Sequence, residues 1–279
     1  MKHDTILADD GEQLHVHRSG SGTPILLLHG WTANPAWWSL LLKSLGTHYH
    51  FLRPDARGHG GHPLNINPTP DIKRLGQDII NLLDHYGIER AVAVGHSMGA
   101  LTLWQCIRDF GCQRFSHLCL IDQSPKLLTD DSWHGGIYGN FDHAQADRLE
   151  AELNTDFVEA VLRLAALGLN DKARETYLRN SAGWRVVREA LRSINPTSAI
   201  AIWKTLMAAD YRDVLHSINV PTLLAYGTAS NFYTTETAHF VAARIPQARL
   251  SFYEGADHSP HLCAPERFAK ELTELIEGK

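Results

Sequence analysis

The chain has 279 residues, 44% of them hydrophobic and 20% charged, which suits a folded globular protein and excludes a disordered one. Lys and Arg total 26 against 31 Asp and Glu, so the formal charge is −5, which disfavours a nucleic-acid binder or a polybasic membrane-surface protein. No apolar run reaches the ~18 residues of a membrane span. In chain order, Thr5–Leu7 and Gln13–His17 flank Asp9-Asp10-Gly11 and predict a β-hairpin. Pro24–His29 holds the continuous apolar run Ile25-Leu26-Leu27-Leu28, which predicts a strand buried on both faces of a parallel sheet. Trp37–Leu45 reads as a helix and His50–Pro54 as a short strand. Ile72, Leu75, Ile79, Leu82 and Leu83 recur at helical spacing across Asp71–Tyr86. Ala91–Val94 is a buried strand, Met98–Phe110 a helix with Leu101, Trp104 and Ile107 on one stripe, and Leu118–Ile121 a strand.

Alternation resumes late, with strand Thr222–Tyr226, helix Thr234–Arg244, strand Arg249–Tyr253 and helix Pro265–Ile276, which carries proline at its start. Strands alternating with helices predict an α/β protein, a parallel sheet covered on both faces. Residues 123–220 break the alternation. A structureless loop beyond ~12–15 residues is unusual, and this stretch is patterned as helices. Phe157, Val158, Val161, Leu162 and Ala165 share one face; Trp184, Val187 and Leu191 share another; Pro196 opens a helix with Ile200, Trp203 and Met207. The expected organisation is one domain, with core 1–122 and 221–279 and a helical insertion 123–220.

Cys106, Cys112, Cys119 and Cys263 are scattered, with no Cys-x-x-Cys, and Met1-Lys2-His3-Asp4 leads into no signal-peptide core. Reduced thiols and a cytoplasmic protein are the expectation. Among 17 histidines, His15/His17 and His48/His50 alternate as strand neighbours do, but no His-Glu-x-x-His or Cys/His cluster occurs. These are expected to be surface residues, with no metal site.

The strongest chemical signal is Gly95-His96-Ser97-Met98-Gly99, between a strand and a helix. This is a nucleophile elbow in its required context, lifting the Ser97 hydroxyl above the sheet edge. A carbonyl attacked by serine becomes an oxyanion, which needs two backbone N–H donors placed in advance. Met98, just after the nucleophile, and Trp31, in His29-Gly30-Trp31-Thr32 after the strand at Ile25, are the candidates. Serine needs a base, and His258 in Gly255-Ala256-Asp257-His258-Ser259-Pro260 follows the last strand on the same sheet edge. His29 and His96 flank the site as structural or substrate-lining residues.

Together with Pro54-Asp55-Ala56-Arg57-Gly58-His59-Gly60, these motifs resemble the α/β-hydrolase superfamily along essentially the whole chain. The resemblance implies a mostly parallel eight-stranded sheet, a helical cap after strand six, and no cofactor. It also marks Asp55 and Arg57 as a structural loop. Most members carry Asp three residues after the glycine ending strand seven, but Gly227 is followed by Thr228, Ala229, Ser230 and Asn231. A less common branch places the acid after strand six, which selects Asp122, with Glu236 and Asp257 as rivals.

The expected activity is serine hydrolysis of a small carboxylic ester, thioester or lactone through an acyl-enzyme. Ser97, His258 and Asp122 would be catalytic, and Trp31 and Met98 would form the oxyanion hole. Trp133, Tyr138 and Trp184, with His29 and His96, are the candidate substrate-lining residues. The expected partner is a small-molecule substrate, with neither nucleic acid nor membrane, and no sequence signal sets an oligomeric state. Haloalkane dehalogenases share a strand-six acid but use an Asp nucleophile, which Ser97 excludes. Two rivals stay open: a cofactor-independent quinolone-type dioxygenase, whose extra histidine two residues beyond Trp31 is here Ala33, and a slow-turnover ligand receptor.

Overall fold

In the computed structural model, which describes residues 2–279, eight strands form one sheet. They are β1 (Lys2–Leu7), β2 (Gln13–Ser19), β3 (Thr23–Leu28), β4 (Tyr49–Pro54), β5 (Ala91–His96), β6 (Phe115–Ile121), β7 (Thr222–Gly227) and β8 (Ala248–Tyr253). Their order is β1-β2-β4-β3-β5-β6-β7-β8. β2 runs antiparallel to β1 and β4, and every other pairing is parallel. The mostly parallel eight-stranded sheet that the family resemblance implies is therefore present.

The apolar strands are buried because helices cover both faces. These are α1 (Ser39–Leu45), α2 (Ile72–His85) and α3 (Met98–Phe110), and after β7 come α9 (Thr235–Ala242), α10 (Pro260–Cys263) and α11 (Pro265–Glu277). Between β6 and β7 lie α4 (His143–Thr155), α5 (Phe157–Ala166), α6 (Asp171–Leu178), α7 (Ala182–Leu191) and α8 (Pro196–Ala208). Successive strand residues face opposite ways. Leu26, Leu28, Leu52 and Ala93 pack with the apolar stripes of α2 and α3. Ile25, Leu27, Phe51, Val92 and Val94 pack with α1 and α11.

The helix expected over Trp37–Leu45 is split. Pro35–Trp38 forms a 3₁₀ turn capped by the Asn34 side chain, and α1 begins only at Ser39. The Asp9-Asp10-Gly11 turn closes the β1–β2 hairpin and is pinned from outside. Arg57, 3% exposed, donates to both Asp10 oxygens at 2.8 Å and to Asp78 of α2 at 2.6 and 2.8 Å. One guanidinium thus joins the hairpin to α2, with the bidentate geometry that Arg alone provides. No helix among the described residues is long and apolar enough to cross a membrane.

Candidate active site

The site is assembled at the C-terminal ends of β3, β5, β6 and β8. β5 runs directly into α3 through Ser97, held at φ 53°, ψ −117°, a sparsely populated conformation for a non-glycine residue. Its N–H is anchored to the Ile121 carbonyl at 3.2 Å. The turn is possible because α3 starts almost in contact with β3: a Cβ on Gly99 would stand 2.2 Å from the Leu28 carbonyl oxygen.

The loop after β3 lies against the serine, since a Cβ on Gly30 would be 3.3 Å from Ser97 Cβ. The N–H groups of Trp31 and Met98 have no hydrogen-bond partner among the described residues, as the first N–H of a helix generally lacks one within it. Two buried histidines fix this loop from beneath. The Ala56 N–H donates to His29 Nε2 at 3.1 Å, so the His29 proton sits on Nδ1 and is given to the Gly30 carbonyl at 2.8 Å. In the same way the Thr32 N–H donates to His59 Nε2 at 3.1 Å, and His59 Nδ1 donates to the Arg57 carbonyl at 3.1 Å. Burial pushes the His29 pKa down to about 3 and lowers that of His59, so both rings are neutral. From above, the Trp31 indole donates to the Ala199 carbonyl of α8 at 2.9 Å and packs 4.6 Å from the Trp203 ring.

His258 follows β8. Its N–H donates to Asn231 Oδ1 at 3.2 Å, and its carbonyl accepts from His96 Nε2 at 2.9 Å. Its ring meets Phe232 edge-on at 4.6 Å and presents Nδ1 to Asp122 Oδ2 at 3.3 Å. Asp122 directly follows β6 at φ 44°, is 0% exposed, and leaves Oδ1 without a partner. Burial pushes its carboxyl above the usual carboxylate range, and the facing His258 opposes that rise. Burial also holds His96 well below, and His261 down to about 3, so neutral imidazoles surround His258.

Ser97, His258, Trp31, Met98, His96 and Trp184 share the wall of one cavity of about 1220 Å³. Its roof is apolar, formed by residues such as Val161, Leu164, Val187, Leu191 and Leu206 from α5, α7 and α8. Asp122 lies behind His258, outside that wall. Its rivals face elsewhere: Glu236 is exposed at the start of α9, and Asp257 accepts the Ser259 N–H at 2.8 Å.

Three candidate lining residues lie outside the wall. His29 is occupied at both nitrogens beneath the loop. Trp133 donates to the Lys126 carbonyl at 2.8 Å and packs on Phe240. Tyr138 donates to the Leu164 carbonyl and stacks behind Phe232. Away from the serine of this cavity wall, His3, His15, His17 and His62 gather beside Asp55 at the β1–β2 edge, a grouping that spacing in the sequence does not show. Asn231 is the residue that sequence reasoning passed over. It bonds the His258 backbone and, through Nδ2, the Ala165 carbonyl of α5 at 2.7 Å. An amide near the position where the resembling family keeps its acid was the available signal.

Residues 25–271 match the Alpha/beta hydrolase family. The chain is 27% identical over 262 residues to the pimeloyl-[acyl-carrier protein] methyl ester esterase of Vibrio vulnificus, covering 93% of this chain and 96% of that one. It is 26% identical over 251 residues to 3-oxoadipate enol-lactonase 1 of Acinetobacter baylyi, covering 86% and 84%. Its fold superposes on an esterase from Exiguobacterium antarcticum with a TM-score of 0.83 at 22% identity, over 98% of each chain. With the family match running from β3 into α11, this chain is an enzyme of the alpha/beta hydrolase family.

Proposed function

We propose that the protein hydrolyses a small carboxylic ester, thioester or lactone through an acyl-enzyme on Ser97. The observation that carries this reading is Ser97 held on a strained strand-to-helix turn, in one cavity with a histidine backed by a buried carboxylate. Ser97 Oγ attacks the carbonyl carbon while His258 takes the hydroxyl proton, then gives it to the departing alcohol, thiol or enol oxygen. Asp122 keeps the His258 tautomer and steadies the imidazolium. The Trp31 and Met98 N–H groups receive the oxyanion. Water, deprotonated by His258, then frees the acid and restores Ser97. Every group required comes from the chain and water.

Residues 123–220 act as a cap whose apolar inner wall, with Trp184, receives an acyl chain. The relatives' names support that choice, one a methyl ester esterase and the other an enol-lactonase. The four cysteines are unpaired, three of them buried, which supports a reducing, cytoplasmic setting.

The test is a fluorophosphonate probe together with a p-nitrophenyl ester series of varied chain length. The probe should label Ser97, and Ser97→Ala should lose ~10³-fold or more in turnover. Near-native ester turnover by Ser97→Ala would overturn the covalent mechanism, and oxygen uptake on a hydroxyquinolone by that variant would install dioxygenation in its place.

A further inference from the structure

The antiparallel register sets His3 of β1 opposite His17 of β2, on the same face of the sheet. The segment after β4 brings buried Asp55 and half-buried His62 over them. Asp55 Oδ2 stands 3.4 Å from His17 Nε2 and 3.3 Å from His62 Nε2. Two sets of donor atoms lie within 4.8 Å of one another: His3, His17 and Asp55, and His3, His15 and His62.

Ring geometry separates the two sets. The His15 and His62 rings are stacked, with centroids 3.5 Å apart and planes 12° apart. An imidazole nitrogen binds a metal in its own ring plane, and one ion cannot lie in two parallel planes that far apart. The His3 and His17 rings instead meet at 62°, with centroids 4.7 Å apart, so their planes intersect. Only this pair has a carboxylate in its set. A tetrahedral ion with bonds of about 2.0–2.1 Å spaces its ligands roughly 3.4 Å apart, the separation His17 and Asp55 already have. His3 is exposed on the edge strand and free to close the remaining gap.

We propose that His3, His17 and Asp55 form a site for one divalent cation of the zinc class, with water as the fourth ligand. Two imidazoles and a carboxylate are the donors that suit such an ion. His62, at the same carboxylate, is the outer partner that orients it. The ion would staple the edge strand β1 to β2 and to the segment after β4. Arg53 works against tight binding. It lies opposite His17 in the β2–β4 register, buried, with Nε and Nη2 unpaired, and its positive charge opposes an incoming cation that Asp55 attracts. A micromolar site is the expectation. The proposal stands independently of the role given to Ser97.

The experiment is calorimetric titration of the untagged, EDTA-stripped and dialysed full chain with zinc chloride. One equivalent should bind, and the thermal midpoint should rise by about 5 °C at a hundredfold excess over Kd. His3→Ala and His17→Ala should each weaken binding at least ~10-fold, whereas His15→Ala should stay within about threefold. His3→Ala lies at an exposed position, so it keeps the test valid if His17→Ala fails to fold. Cys263→Ser should bind zinc as the parent does. Absence of saturable binding, or binding lost in His15→Ala and kept in His3→Ala or His17→Ala, would overturn the site.

Discussion

Replacing Asp122 by Asn should separate activity from stability. The carboxylate is fully buried, with Oδ2 at 3.3 Å from His258 Nδ1 and Oδ1 without a partner. Burial, the larger influence, leaves its pKa above the unfolded value of about 3.9 despite His258. A raised carboxyl pKa means that the folded state holds the proton more tightly than the unfolded chain does. The group's contribution to stability therefore falls as pH rises from about 3.9 through the folded value, and at neutral pH the native protein bears that penalty. The amide removes it, but with its nitrogen at the Oδ2 position facing Nδ1 its second N–H has no acceptor, costing about 1–3 kcal/mol. The two effects oppose each other, so the thermal midpoint should move by no more than ~3 °C. Catalysis has no such offset. An amide donating to Nδ1 fixes the wrong imidazole tautomer, and kcat on a p-nitrophenyl ester should fall ~10³–10⁴-fold while KM changes little. Steady-state kinetics and a thermal melt on the same sample decide it. A kcat within about tenfold of the parent would refute Asp122 as the acid, and a midpoint lowered by ~8 °C or more would refute the electrostatic argument.

Arg57→Ala removes four charge-assisted hydrogen bonds and leaves Asp78 with only Arg74, so denaturant unfolding should show a loss of about 3–5 kcal/mol; a loss below ~1 kcal/mol would mean the guanidinium is not the link between hairpin and α2. Burial raises the Glu12 carboxyl, but the Ile66, Gln13 and Asn65 N–H groups outweigh it and hold the pKa below the usual value. Its stabilisation is thus complete above the unfolded value of about 4.3 and lost as pH falls through the folded one, so Glu12→Gln should flatten the acid limb of stability against pH below that point; an unchanged slope contradicts this. Trp184→Ala, in the cavity roof, should move the ester chain-length optimum upward by one or more carbons, an effect of roughly 10-fold in relative kcat/KM; an identical profile would place the acyl chain elsewhere.

How far the sequence could be read follows from what each signal encodes. The strands around Ile25, Ala91 and Leu223 are unbroken apolar runs because the sheet buries both their faces, and that pattern needs no partner to be recognised. α6 has no buried residue, so no apolar stripe announces it. The elbow is legible because Ser97, Met98 and Gly99 are consecutive. Side-chain direction is not: His29 adjoins the Gly30–Trp31 loop in sequence yet points beneath it, while Trp133 and Tyr138 turn into packing among α9, α5 and Phe232. The histidine cluster was hidden because its members come from β1, β2 and the segment after β4, and only the strand register brings them together.

The indole of Trp31 has a consequence for how such a protein could be recombined. Its residue belongs to the loop after β3, but its ring nitrogen is tied to a main-chain oxygen of α8. The natural cut points for exchanging the helices between two relatives lie near residues 122 and 221, yet the seam includes this bond as well as the one from Asn231 to α5. A chimaera with foreign helices would line the cavity anew and still leave the Trp31 N–H unaimed, unless its own α8 backbone reached the same height. Because the acceptor is main chain, this bond itself sets no side-chain identity on α8, and the demand there falls on Trp203, which packs against the same indole.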